Sequence, residues 1–367
     1  MDINEQAFAR YHRQIRLPGF GIASQERLQA AKVLVVGAGG LGCPILASLA
    51  GAGVGTIGIV DDGLVELSNL HRQFLFGMND IGLPKVDIAA RQLAVLNPSI
   101  QTHTYNFLLT NHNAIDLLTQ YDIVLDGTDN FTTRYMLADA CAFIYKPLIY
   151  GAVSRFEGQV AVFENGLSYR DVFPVPPKPG EVQNCEEAGV LGYLPGIIGN
   201  MMAGECLKWI TKLGTTLSGK LLTFSALDNR FLELDIDSTA EGKLARPTSK
   251  EEFESRDYAM LCGTIPLQAR EISVEEFRIF TATETPSIID VRELHEEPSL
   301  GKFPHERVPL QTFLQAFPYV GDGAVIFVCQ SGKRSLQAAE LYAASHPHRM
   351  VYSLRGGVIA LLENGLL

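Results

Sequence analysis

Two short stretches of this chain place chemically active side chains at meaningful spacing. The first is Gly37-Ala38-Gly39-Gly40-Leu41-Gly42, a G-x-G-x-x-G run that follows the β-branched stretch Lys32–Val36 and opens a helix-like segment. Glycines in that context allow a tight turn and bring backbone N–H groups and a helix N-terminus close to phosphate. Asp61 ends the next strand about 20 residues on, where a carboxylate accepts hydrogen bonds from a ribose hydroxyl. Alone, these residues predict a dinucleotide-dependent oxidoreductase. The second stretch is Cys329-Gln330-Ser331-Gly332-Lys333-Arg334-Ser335, between the apolar run Ala324–Val328 and a helix. A cysteine at a strand end, turning into a helix N-terminus, faces a ring of backbone N–H groups. With Lys333 and Arg334 adjacent, the position suits a thiolate or a persulfide anion.

The residues after the glycine run do not suit hydride transfer. Ser68-Asn69-Leu70-His71-Arg72-Gln73, then Lys85, then Thr128-Asp129-Asn130 fall near the carboxyl edge of the expected sheet. Arg10-Tyr11-His12-Arg13-Gln14 lies far upstream. A dehydrogenase needs a nicotinamide pocket and a proton donor. Several cations converging on a glycine-rich loop, with an acid able to hold Mg²⁺, suit attack on a nucleoside triphosphate.

The elements that position these groups follow from the pattern. Lys32–Val36, Thr56–Val60, Gln101–Tyr105, Asp122–Leu125 and Pro147–Tyr150 are strand candidates separated by helices such as Lys85–Leu96. That alternation predicts an α/β fold with a doubly wound, mostly parallel sheet. Gly158–Phe163 reads as an added strand, Leu194–Leu213 as a helix, and Leu221–Phe224 with Phe231–Ile236 as a strand pair around a turn at Leu227–Asn229. Ser168–Cys185 is too rich in proline to be regular throughout. The polar, charged stretch 237–265 reads as a linker. A second, smaller α/β pattern fills 266–367: helices at Ser273–Phe280, Ser335–Ala344 and Gly357–Glu363, strands at Ser287–Val291, Ala324–Val328 and Met350–Ser353. The expected division is therefore 1–236, a linker 237–265, and 266–367.

Composition narrows the class. A length of 367 residues with 47% hydrophobic content suits two folded domains and excludes a disordered chain. With 30 basic against 41 acidic residues, the net charge of −11 argues against a nucleic-acid backbone as partner. No apolar run reaches the roughly 20 residues of a membrane helix, so no membrane association is expected. The first 20 residues lack the apolar core of a signal peptide. Six cysteines without framework spacing suit a reducing cytoplasm.

Taken in order, Arg10–Ile15, Gly37–Gly42, Asp61–Gln73, Gly82-Leu83-Pro84-Lys85-Val86 and Asp126-Gly127-Thr128-Asp129-Asn130-Phe131 resemble the adenylating domain of the MoeB/ThiF/HesA family. Its members are relatives of ubiquitin-activating enzymes and activate small, ubiquitin-like sulfur-carrier proteins ending in Gly-Gly. The likeness runs from about Met1 to Ile236. It implies a Rossmann-like domain using ATP and Mg²⁺, and a homodimer in which an N-terminal arginine, matched by Arg13, reaches the partner's ATP site. Gly37, Gly39, Gly40 and Gly42 would form the phosphate loop, with Gly40 under the phosphates, and Asp61 would hold the ribose. Asn69, Arg72 and Lys85 would neutralise the triphosphate, and Asp129 would bind Mg²⁺. Ser68, Leu70, His71 and Asn130 belong to the same nucleotide-binding segments. Cys185, in Asn184–Val190, matches a family cysteine that forms an acyl or persulfide link to the carrier, although Glu186 and Glu187 beside it disfavour a thiolate. One departure is plain. Many members carry two C-x-x-C pairs forming a structural zinc site; the corresponding stretches here read SYRDVFPVPP and SRDYAMLCGT, so no structural zinc is expected.

The second stretch resembles the rhodanese (sulfurtransferase) domain over about Pro266 to Leu367, with Asp290-Val291-Arg292-Glu293 and Leu354-Arg355-Gly356-Gly357 as further matches. Dual-specificity phosphatases use the same layout with C-x-x-x-x-x-R loops. Here Arg334 follows Cys329 by five positions, not six, and the shorter loop favours sulfur over phosphate. The usual H-I-P-G-A stretch is degraded to Gly301-Lys302-Phe303-Pro304-His305, so the sulfur donor, a cysteine desulfurase or a small molecule, can differ from the family's usual one. The two likenesses together imply adenylation of a carrier's terminal carboxylate, then sulfur delivery from a Cys329 persulfide with Cys185 resolving the product, in molybdopterin, thiamine or tRNA-thiolation chemistry. Two rival readings stay open. An NAD-dependent dehydrogenase with a regulatory rhodanese-like domain leaves Arg13, Arg72 and Lys85 unexplained. A non-catalytic carrier-binding scaffold leaves the intact Cys329 loop unexplained.

Overall fold

The computed structural model of the chain describes residues 5–177, 189–262, 269–283, 286–315, 324–345 and 351–367. They form two compact units, Met1–Cys262 and Gly263–Leu367. Cys185 lies outside the described residues. None of the described helices is long and apolar enough to cross a membrane.

The first unit is built on one eight-stranded sheet. Its strands are β1 (Lys32–Val36), β2 (Thr56–Val60), β3 (Gln101–Tyr105), β4 (Ile123–Asp126), β5 (Leu148–Ser154), β6 (Glu157–Phe163), β7 (Lys220–Ser225) and β8 (Arg230–Asp235), in the order β3-β2-β1-β4-β5-β6-β7-β8. The first five run parallel and the last three antiparallel. The apolar runs of β1 and β4 are covered on both faces, as parallel strands require. Val33 and Val35 point into one core while Leu34 and Val36 point into the other, the two-residue period of a strand. At the edge, every residue of β8 is exposed.

The helices are α1 (Glu5–Ile15), α2 (Gly21–Ala30), α3 (Gly42–Ala52), α4 (Lys85–Leu96), α5 (Ala114–Leu118), α6 (Phe131–Phe143), α7 (Tyr169–Val172) and α8 (Leu194–Thr211). One core joins α3, α4 and α8 through Leu46, Leu49, Leu93, Ile198 and Met202. The other joins α5, α6 and α7 through Leu118, Leu137 and Tyr169. Gly199 lets α8 approach α3 closely: a Cβ there would lie 2.5 Å from Pro44 and 2.6 Å from the Leu41 carbonyl. That contact fixes the helix on which the glycine run ends.

The polar stretch read as a linker is folded as far as Cys262. It carries α9 (Ala240–Ala245), α10 (Lys250–Ser255) and α11 (Tyr258–Leu261), capped by Thr239 and Ser249. Phe253, Tyr258 and Cys262 are buried in the second core of the first unit. Most of the stretch is polar because its anchors are hydrogen bonds. Asn111 Nδ2 donates to the carbonyls of Glu254 and Arg256 at 2.6 and 2.9 Å, and Arg256 donates to Asp139.

The second unit is a five-stranded, all-parallel sheet in the order β11-β10-β12-β13-β9. Its strands are β9 (Ala269–Ile272), β10 (Ser287–Asp290), β11 (Glu306–Arg307), β12 (Val325–Val328) and β13 (Val351–Leu354). Its helices are α12 (Val274–Thr283), α13 (Leu310–Gln315), α14 (Lys333–Ser345) and α15 (Gly357–Glu363). Two apolar layers sandwich the sheet, one around Phe313, Phe327 and Tyr342, the other around Phe277, Ile326 and Leu361. The strands β9 and β11 had no apolar run to announce them.

Candidate functional site

In the first unit the strand order reverses at β1, which lies between β2 and β4. Ligands of doubly wound sheets bind outside the carboxyl ends of strands at such a point. The loops after β1, β2 and β4 line a cleft there of about 290 Å³. Gly37 takes a positive φ of 93°, and a Cβ on it would sit 2.7 Å from the Gly127 carbonyl, so the loops after β1 and β4 touch through glycine. Gly42 is equally constrained, 2.0 Å from the Gly37 carbonyl by the same measure, and its role is to close the turn.

Gly37, Gly39, Gly40, Asp61, Asn69, Arg72, Lys85, Asp129 and Asn130 all face this cleft. Asp61 ties the loops together: its Oδ2 accepts from Ala38 N at 2.7 Å and its Oδ1 from Gly63 N at 2.8 Å. Gly63 separates Asp61 from Lys85, since a Cβ there would meet Asp61 Oδ1 at 2.9 Å and Lys85 Nζ at 3.2 Å. Arg72 reaches the cleft from the turn after Asn69, with Nη1 donating to the Ser68 carbonyl at 2.8 Å. Asp129 is exposed and, among the described residues, makes no hydrogen bond. Arg72 and Lys85 together with the exposed carboxylate of Asp129, all lining one cleft, suit a polyphosphate and its counter-ion.

The remaining candidates, and Asn130 within the cleft, have other roles. Ser68 bonds Glu66, His71 lies against Arg72 at the surface, and Leu70 packs on the core. Asn130 spends its side-chain oxygen capping α6, accepting from Thr133 N at 2.8 Å. Arg13 is exposed on α1 away from this cleft, with no ion pair among the described residues.

Beneath the cleft lies a pair that pattern reading missed. Asp126, fully buried at the end of β4, accepts from Thr128 N at 3.0 Å and from its hydroxyl at 2.5 Å. Arg134 stacks between the rings of Phe131 and Tyr150 and donates to the Thr128 carbonyl at 3.3 Å. Burial pushes the Asp126 carboxyl upward, against the opposing pull of Arg134 and Thr128. Together they hold from below the turn that carries Asp129. Gln73, whose Oε1 is buried with no hydrogen-bond partner among the described residues, also faces the cleft.

In the second unit the loops after β10, β12 and β13 converge. Cys329 follows β12 and is buried, its carbonyl accepting from Val358 N at 2.9 Å. Gly332 takes φ 90°, with the Gly356 nitrogen 2.9 Å from where a Cβ would stand. Among the described residues, the N–H groups of Gln330, Ser331 and Gly332 donate to no backbone carbonyl, leaving a nest suited to an anion. Ser335 closes the turn on the Gly332 carbonyl at 3.0 Å and accepts from Ser353.

The cations of this loop are not all at the thiol's disposal. Arg334 donates to both oxygens of Glu296, at 2.8 and 2.6 Å, and these bonds hold the Glu296 carboxyl far below its ordinary range, at about 2. Arg292 and Arg307 share the buried Asp290 carboxylate, and Arg292 also reaches Gln330 Oε1 at 3.2 Å. Lys333 is exposed and has no carboxylate partner among the described residues.

Burial pushes the thiols of Cys43, Cys141, Cys206 and Cys262 upward, Cys43 to about 12 and Cys262 to about 11, so burial disfavours their thiolates.

A sulfur carrier protein adenylyltransferase of Thermus thermophilus is 46% identical over 263 residues, 69% of this chain and 96% of that one. A probable adenylyltransferase/sulfurtransferase, MoeZ, of Mycobacterium tuberculosis is 36% identical over 376 residues, 98% of this chain and 93% of that one. In structure, E. coli MccB superposes with a TM-score of 0.57 at 20% identity over 63% of this chain and 70% of its own, a likeness of fold. The ThiF family model matches residues 11–244, and with these relatives it establishes that the chain belongs to the ThiF family.

Proposed function

We propose that this protein uses ATP to adenylate the C-terminal carboxylate of a ubiquitin-like, Gly-Gly-ended sulfur-carrier protein and then converts it to a thiocarboxylate in the reducing cytoplasm. The observation that carries this reading is the presence, in one chain, of a polyphosphate cleft and a cysteine-anion loop. Nearly full-length likeness to a protein named for both activities supports it.

In the first step the carrier carboxylate attacks the α-phosphorus of ATP and pyrophosphate leaves, giving an acyl-adenylate. No protein nucleophile is needed; positioning and charge stabilisation carry the step. Asp61 fits the ribose, the Gly37–Gly40 turn the phosphates, and Arg72 with Lys85 the charge that builds on the departing pyrophosphate. The free carboxylate of Asp129 fits Mg²⁺, which binds through one or two carboxylates plus phosphate and water, and supplies charge neutralisation. In the second step the terminal sulfur of a Cys329 persulfide attacks the acyl carbon and AMP leaves. Cys185 then attacks the Cys329 sulfur of the resulting acyl disulfide, releasing the thiocarboxylate and leaving a Cys185–Cys329 disulfide for a thiol reductant to open. Carrying both steps on one chain raises the effective concentration of the sulfur donor at the adenylate.

The test is ATP–pyrophosphate exchange with Gly-Gly-ended carriers. Wild type exchanges with at least one carrier, and Asp129→Ala loses exchange by about 100-fold or more. Absence of exchange with every carrier would sink the adenylation. Cys329→Ser is expected to retain exchange but form no thiocarboxylate, and thiocarboxylate formation in that variant would remove the second unit from the pathway.

A further inference from the structure

The loop after Cys329 carries two cations, yet Arg334 is occupied. Both its terminal nitrogens are bonded to Glu296. Glu296 is itself held in place, because its Oε2 accepts from Glu293 N at 2.8 Å and its carbonyl accepts from Arg307 at 3.1 Å. Arg292 pins the same segment through the Pro298 carbonyl at 3.0 Å. A carboxylate that accepts from Glu293 N as well as from Arg334, on a backbone pinned by Arg307 and Arg292, is a fixed counter-charge to the loop arginine. Lys333 is then the loop cation left for an incoming anion.

Sulfane-sulfur donors differ in charge next to the atom they give up. Thiosulfate is a dianion whose departing group is sulfite, whereas an organic persulfide is at most a monoanion and its departing group is a thiolate. We infer that Glu296 is a specificity-determining residue of the sulfur-loading step, neutralising Arg334 so that Cys329 takes sulfur from monoanionic organic persulfides in preference to thiosulfate. The inference rests on the sulfurtransferase reading and names its donor class. In the step itself the Cys329 thiolate attacks the terminal sulfur of R–S–SH. A bond forms between Sγ and that sulfur, the S–S bond of the donor breaks, and R–S⁻ leaves with that bond's electron pair. No external oxidant or reductant enters.

The experiment follows single-turnover loading of full-length protein by the mass of one added sulfur, with thiosulfate and with mercaptoethanol persulfide as donors. Wild type is expected to load faster from the persulfide. Glu296→Gln keeps a bond to Arg334 but drops the counter-charge, and should raise the thiosulfate-to-persulfide rate ratio at least tenfold. Adding Arg334→Gln to it should abolish that gain. A change of both donors by the same factor in Glu296→Gln, or no change, overturns the inference while leaving the sulfurtransferase reading intact. Failure of wild type to load from either donor overturns both. Should Glu296→Gln not fold, Lys333→Gln decides: it should slow thiosulfate several-fold more than persulfide, and equal slowing refutes the proposal. A peptide carrying a cysteine persulfide, run as a third donor, separates the sources: if it loads faster than mercaptoethanol persulfide, the donor is protein-borne; if slower, a free persulfide. Both orders support the donor class, whereas thiosulfate outrunning both in wild type overturns it.

Discussion

Gly63 shows how closely the cleft's charges are spaced. Its backbone N–H donates to Asp61, and the space where a Cβ would stand is bordered by Asp61 Oδ1 and Lys85 Nζ. Gly63→Ala is therefore expected to push the carboxylate and the ammonium off their positions without disturbing the core. The cost should be that of about one hydrogen bond, roughly a tenfold rise in KM for ATP, with a smaller change in kcat and an unchanged melting temperature. Exchange kinetics at varied ATP check this; an unaltered KM would mean that Asp61 and Lys85 do not hold the nucleotide together. Asp61, Arg72 and Lys85 were legible in the sequence because each sits in a local pattern tied to a strand end or a helix start. Asp126 and Arg134 were not, since a strand-terminal acid and a basic residue in the first turn of a helix acquire their meaning only when the fold buries them against each other. Asn130 was legible as part of the same loop, but its oxygen serves α6. The adjacency of Arg334 to Cys329 likewise said nothing of Glu296, which lies 38 positions away in sequence.

Among the elements, α6, α7 and the 239–262 stretch meet at one buried carboxylate. Asp139 accepts from Arg170 Nε at 2.9 Å and Nη2 at 2.7 Å, from Arg256 at 3.2 Å and from the Tyr258 hydroxyl at 2.9 Å. A second acid, Asp171, accepts from Thr239 N and pairs with Arg246. The two stretches that would be expected to carry thiolate pairs, around Arg170 and around Tyr258, are thus joined by ion pairs and a phenol. Removing the acid alone strands Arg170, which is 2% exposed at its side chain. Asp139→Asn should cost about 3–5 kcal/mol, the penalty for leaving a buried charge without its partner. Thermal unfolding of the full chain measures it; a loss below about 1 kcal/mol would mean that water or another group takes over. This node also explains why the stretch looked like a linker. Polar residues dominate a segment whose attachment is made by arginines and a tyrosine, and Phe253, Tyr258 and Cys262 are too few to make a hydrophobic period. The alternating strands of the parallel sheet, by contrast, were plain, because burial on both faces demands unbroken apolar runs.

For the whole molecule, the exposed Arg13 on α1 raises the question of which cleft it serves. It does not line the cleft of its own unit. The family resemblance assigns such an arginine to the partner of a homodimer. If Arg13 acts across a two-fold axis, each nucleotide site needs Asp129 from one protomer and Arg13 from the other. Arg13→Ala and Asp129→Ala homodimers should then both be inactive in exchange. Mixing the two variants and allowing subunits to redistribute restores one complete site in each heterodimer, the Arg13→Ala protomer supplying Asp129 and its partner supplying Arg13. With random reassortment half the dimers are mixed, so about a quarter of all sites recover. An arginine that acts within its own chain predicts no recovery, because each protomer of the mixture still lacks one group. A monomer in sedimentation at assay concentration would also exclude the shared site. Recovery near a quarter, lost again when the mixture is diluted below the dimer's dissociation constant, ties the charge on the outer face of α1 to the chemistry of the neighbouring sheet.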